Sequence, residues 1–138
     1  MASESQVIET ATDDVLRWSA EIVASYVAQN NLPAAIGEFE HARSEASRLD
    51  DRTAEAEANL QLGLTHQEFY SRDAADLGRL AKAKAAYELV VRNGTPTQCA
   101  QAWNNMGTLY LTQREYPHAI ETLEKVDRTK GPPAEVFV

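Results

Sequence analysis

Pairs of small residues recur along this chain at helical spacing, and they dictate how closely its helices can pack. In the segment AWNNMGTLYLTQREYPHAIETLEKV, Trp103, Met106 and Tyr110 stand at i, i+3 and i+7, so they share one helical face. Gly107 lies on the inner side of that helix. After a polar turn, Ala119, Leu123 and Val126 line one face of a second helix, which Pro132 and Pro133 stop. A glycine on one helix facing an alanine on the next lets two backbones approach closely, as a tight helical hairpin requires.

The same template fits twice more. Tyr26 precedes Ala35 by nine residues, as Tyr110 precedes Ala119, and Phe39 and Ala42 continue the pattern. Asn30, Asn31 and Pro33 supply the turn between these two helices. Val23 takes the place of the glycine, so this hairpin is expected to open slightly wider. A middle unit pairs Leu60 and Gly63 with Ala83, Tyr87 and Val90. Its glycine-to-alanine spacing is twenty residues against twelve in the last unit. The surplus falls around Gln67–Leu80 and predicts two added helical turns or a longer loop. Ser71 and Asp73 are expected to cap the helix that follows, Asp50 or Asp51 the helix before it, and Asp14 the first helix. Asn93-Gly94 ends the unit, and Pro96 is expected to begin a linker.

The last unit resembles the tetratricopeptide pattern W-x2-L-G-x2-Y, then A-x3-F, then P, with Met106 for the leucine and Leu123 for the aromatic. The long join SEASRLDDRTAEAEANLQLG, with Asp51, Arg52, Glu55 and Ala56, resembles the extended repeats of kinesin light chain and of spindle-orientation adaptors. The resemblance implies an all-α fold, an α-solenoid of three antiparallel hairpins in a right-handed superhelix with six to seven helices. The units are expected at about 15–49, 53–95 and 99–133 of a single domain, followed by a tail at 134–138.

Composition agrees with helices. Gly and Pro number only 6 and 5 in 138 residues, and the apolar fraction of 43% is enough for a core. A net charge of −8 repels polyanions, so nucleic acid and anionic membrane surfaces are not expected partners. The single cysteine, Cys99, cannot form an internal disulfide, and the sequence has neither a secretory leader pattern nor an apolar run of membrane-spanning length. These features place the expectation in the cytoplasm. His41, His66 and His118 are scattered one per unit, with no metal-ligand spacing and no nucleophile–base–acid order. No enzyme, metal or cofactor is therefore expected. His66 takes the place of Tyr26 and Tyr110 and is expected to be a packing residue, as is Cys99.

By the resemblance, the first helices of the units line a concave groove that holds another protein. Counting from the motif places Arg17, Ala20, Ala24 and Val27 there from the first unit. Glu57, Leu60, Leu64 and Gln67 follow from the second, and Gln101, Asn104, Thr108 and Leu111 from the third. Some relatives clamp a C-terminal carboxylate with Lys and Asn at such places. Here Ala20, Ala24, Leu60 and Leu64 leave only Asn104 for that role. The expected ligand is an amphipathic helix or extended apolar segment of a partner. The expected function is a non-catalytic adaptor or scaffold. A small acidic chaperone for a secreted or aggregation-prone client, and a structural subunit of a larger assembly, are the alternatives. Val136, Phe137 and Val138 could tuck onto the last hairpin or mediate self-association.

Overall fold

The computed structural model describes residues 31–129, together with Glu21, Ser25, Tyr26 and Gln29. Its side chains are described as far as Val126. Glu21, Ser25 and Tyr26 are helical. Five helices follow: α1 (Leu32–Arg48), α2 (Arg52–Arg72), α3 (Leu77–Asn93), α4 (Pro96–Thr112) and α5 (Tyr116–Thr129). No strand occurs among the described residues. Asp14, Val23 and the tail at 134–138 lie outside the described residues.

Capping sets where each helix starts. Asn31 accepts from the Ala34 amide ahead of α1, with Pro33 in the first turn. Asp51 accepts from the Ala54 amide at 3.0 Å and opens α2. α4 begins with a reciprocal capping box. The Gln98 amide donates to Thr95 Oγ1 at 3.2 Å, and the Thr95 amide donates to Gln98 Oε1 at 3.0 Å. Pro96 is therefore the first residue of a helix rather than the start of a linker, because its missing N–H costs nothing there. Asp73 does not cap α3 either. Its side chain accepts from Ala75 in the turn, Ser71 ends within α2, and the N-cap position of α3 is Asp76. The surplus of the middle unit is mostly helix. α2 continues nine residues past Gly63, whereas α4 continues five past Gly107, and α3 starts three residues earlier relative to its alanine than α5 does.

Each helix packs on the next in sequence, and α2 also touches α4. α2 is thus enclosed by α1, α3 and α4. Its buried residues include Ala54, Ala56, Ala58, Leu60, Leu62, Gly63 and His66, which run around the helix instead of forming one stripe. Small side chains let three neighbours approach it at once. One core cluster joins Ala56 and Leu60 of α2, Leu80, Ala83, Tyr87 and Val90 of α3, and Ala102, Met106 and Leu109 of α4. A second joins Ile36 and Phe39 of α1 to Leu62 and Ala86. Cys99 is buried, its sulfur facing the carbonyls of Val90, Val91 and Gly94, and burial pushes its thiol pKa up.

The hairpin glycines face large residues, not the alanines. A Cβ on Gly107 would sit 2.5 Å from Leu123 Cδ2, and one on Gly63 would sit 2.7 Å from Tyr87 Cδ1. Leu123 and Tyr87 each lie four residues after the conserved-spacing alanine of their hairpin, so both contacts use one geometry. The alanines, Ala83 and Ala119, are fully buried beside them.

His66 is buried, as expected for a packing residue, and is also hydrogen-bonded. The Arg79 guanidinium lies 3.3 Å from Nδ1. Arginine has no acceptor to offer, so Nδ1 must accept, and the ring is the neutral Nε2–H tautomer. Arg79 also pairs with Asp76 at 3.2 Å and stacks 3.9 Å over the Phe69 ring. Burial, and then the positive charges of Arg79, Lys82 and Arg43, lower the His66 pKa to about 4.

Three glycine substitutions test the hairpin geometry. Gly63→Ala and Gly107→Ala should each destabilise by about 1–3 kcal/mol, because overpacking outweighs the better helix propensity of alanine. Gly37→Ala, with nothing within 4 Å of the added carbon, should stabilise by about 0.5–1 kcal/mol. Urea titration of the three variants measures this; equal stabilisation by all three would disprove the close contacts.

The histidine makes a separate prediction. Its folded pKa lies below the unfolded value of 6.5, so the unfolded chain binds the extra proton first. Its contribution is intact above about pH 7, falls as the pH drops below 6.5, and is gone below about 4. The total loss is at most about 3 kcal/mol. His66→Gln, which keeps an acceptor for Arg79, should flatten the urea midpoint between pH 7 and pH 4.5; an unchanged pH slope would contradict the assignment.

Candidate functional site

A groove lies beside the contact between α2 and α4, the first helices of the last two hairpins. It encloses about 590 Å³. Leu64, Tyr70, Leu80 and Leu109 provide apolar wall and floor, while Gln67, Ser71, Asn105, Thr108 and Thr112 supply polar atoms. The extra length of α2 carries Tyr70 and Ser71 along the groove, and Ala74 of the turn also lines it.

Several of these polar groups are already engaged. Gln67 Oε1 accepts from the Tyr87 hydroxyl at 2.6 Å, which orients that amide. Thr108 and Thr112 donate their hydroxyls to the carbonyls of Asn104 and Thr108 on their own helix, at 3.1 and 3.0 Å. Glu68 pairs with Arg72 at 3.1 Å, an exposed pair of little energetic consequence. The lining contains no Lys or Arg, and its one carboxylate is Glu68. Chemically, the groove suits an apolar side-chain row flanked by groups that hydrogen-bond to amides, and it offers no cation to a free carboxylate.

Of the sequence-predicted groove residues, Leu64, Gln67 and Thr108 line this cavity. Leu60 does not. It is 3% exposed within the core between α2, α3 and α4, because it points at α4 and not past it. Glu57 is half-buried and reaches α4, where Gln98 Nε2 approaches it at 3.4 Å while donating to the Thr53 carbonyl at 3.0 Å. Gln101, Asn104 and Leu111 are exposed on α4 away from the cavity. Arg17, Ala20, Ala24 and Val27 lie outside the described residues. Asn105, Thr112, Tyr70, Ser71 and Leu80 are groove residues that motif counting missed. The signal for Ser71 and Ala74 was the surplus after Gln67, which lengthens α2 along the cleft.

A second concavity, about 390 Å³, lies between α3, α4 and α5. There the Tyr110 ring stacks on His118 at 5.4 Å and lies 5.5 Å beneath the Lys84 ammonium. His118 in turn stands 3.4 Å from Glu115. Lys84, Arg92 and Lys125 alternate with Glu88 and Glu121 around it, so neither sign of charge dominates. Among the described residues, no group of three His, Cys, Asp or Glu side chains could hold a metal ion, and no helix is long and apolar enough to cross a membrane.

Residues 100–130, which span most of α4 and all of α5, match the family model described as tetratricopeptide repeat. Comparison of the chain with curated proteins and with solved structures gave no match. Repeats of this family generally mediate contacts between proteins. The α4–α5 hairpin, its glycine pressed on Leu123, and the matching family pattern coincide on the same residues: over residues 100–130 the chain matches a tetratricopeptide repeat.

Proposed function

We propose that this chain is a non-catalytic interaction module, an adaptor or scaffold, that holds an amphipathic helix or extended apolar segment of a partner in the groove between α2 and α4. The observation that carries this reading is the lining itself: Leu64, Tyr70, Leu80 and Leu109 contribute apolar lining to a cleft large enough for side chains. The Thr108 and Thr112 hydroxyls already donate to helix carbonyls, so an apolar ligand laid over them strands neither of those donors.

The reading includes three units, at about 15–49, 53–95 and 99–133, wound in a right-handed superhelix. The first unit then extends the groove with Arg17, Ala20, Ala24 and Val27. A lone buried thiol suits a reducing, cytoplasmic setting. A carboxylate-clamped tail is a poor ligand, because the described lining offers no cation.

Leu64 is the residue to test, being 38% exposed and on the cavity wall. Leu64→Asp should abolish capture of the partner in affinity purification with mass spectrometry, while thermal unfolding shifts little. Leu60→Asp serves as a contrast, since it should unfold the core. Undiminished capture by a folded Leu64→Asp protein would refute the groove assignment.

A further inference from the structure

The two glycine contacts put the last two hairpins in register with each other. Gly63 corresponds to Gly107 and Ala83 to Ala119, so positions near these on each helix can be compared between them. In the α2–α3 hairpin, Leu60, Leu80, Tyr87 and Val90 are all 5% exposed or less, because α4 lies across them with Ala102, Met106 and Leu109. The corresponding residues of the α4–α5 hairpin are Asn104, Tyr116, Leu123 and Val126. Tyr116 is 54% exposed, Asn104 is exposed, and Leu123 and Val126 are only half-buried. Lys84 reaches over the Tyr110 ring of α4, so its position points at the following helix. Its counterpart is Ile120, an apolar residue 59% exposed. Among the described residues, α5 packs against α4 alone.

This face is built like one that the same chain covers with a helix. An isolated exposed isoleucine is ordinary. A tyrosine and an isoleucine exposed together, at the positions where the preceding hairpin docks its neighbour, mark a surface with a defined complement. We propose that the outer face of α4–α5, centred on Tyr116 and Ile120, is a second docking surface. Its occupant is an amphipathic helix of a partner protein, carrying a stripe spaced like Ala102, Met106 and Leu109 and flanked by Lys or Arg. The stripe follows from the shared register of the two hairpins, since Ala102, Met106 and Leu109 are what α4 lays on the equivalent positions of α2–α3. The basic flanks follow from charge: Glu124 stands exposed one turn beyond Ile120, and the chain carries −8 overall. The surface is separate from the groove, whose lining includes neither Tyr116 nor Ile120.

The probe is a synthetic peptide with the sequence of residues 95–113, Ala at the Cys99 position and two arginines added at each end. Calorimetric titration into the full-length chain should show saturable one-to-one binding. Ile120→Glu, and separately Tyr116→Lys, should weaken it at least tenfold, as should Glu at the Met106 position of the peptide. Leu64→Asp should leave it unchanged, so failure here and failure of the groove reading are distinguishable. Circular dichroism melts matching wild type show that the variants are folded. Three results would overturn the proposal. One is no saturation at about 1 mM peptide, weaker than helix-in-groove recognition normally is. Another is sedimentation of the free chain as a dimer that Ile120→Glu dissolves, which makes a second copy the occupant. The last is a tenfold gain in peptide affinity on Phe137→Glu, which makes the chain's own end the occupant.

Discussion

Everything else in this fold depends on two close approaches between helices, Gly63 against Tyr87 and Gly107 against Leu123. Each removes a side chain from one helix so that a bulky residue of the other can lie on its backbone. Dispersion falls steeply with separation, so a hairpin held slightly apart loses contact along its whole length. The approach also fixes register. Once Tyr87 lies on Gly63, its hydroxyl reaches Gln67 and burial pushes its pKa well above the ordinary phenol. Leu80 and Val90 are then presented to α4. The groove inherits its shape from this register, because Leu80 forms part of its lining.

α2 shows how a repeat protein handles a helix with several neighbours. It lacks the single apolar stripe of a surface helix, since α1, α3 and α4 all touch it. Alanines at positions 54, 56 and 58 make that possible at little entropic cost. The polar side chains buried there each find a partner: Asn59 accepts from Arg43, Thr65 donates to the Gln61 carbonyl, and His66 accepts from Arg79. Gln98 extends the same economy across the unit boundary. Its side chain completes the capping box of α4 and donates to the Thr53 carbonyl in the first turn of α2. One residue thereby starts a helix correctly and ties α2 to α4.

Much of the helical architecture was legible from spacing, because a 3.6-residue period and a small residue at the crossing are local properties. The Gly107 hairpin was readable to the residue, and Asp51 was readable as a cap. The partner of each glycine was not. Sequence symmetry suggested small facing small, whereas the helices cross so that the next turn of the second helix, at Leu123 and Tyr87, meets the glycine. The groove was half legible. Leu64, Gln67 and Thr108 follow from repeat counting, but Leu60, one turn before Leu64, rotates into the core as α4 closes over it. The helical spacing that places residues on one face does not say where a third helix will cross that face.

The sequence by itself determined the secondary structure type, the tight hairpins and the polar turns between them, since these rest on side-chain size, capping chemistry and backbone preference within a few residues. Only the tertiary structure decided which positions are buried and which are offered. Leu60 and Asn104 hold the same register position, as do Leu80 and Tyr116, yet one of each pair is covered and the other open. The difference lies in whether another of the described helices lies across those positions, a fact carried by packing between hairpins and by no residue within one.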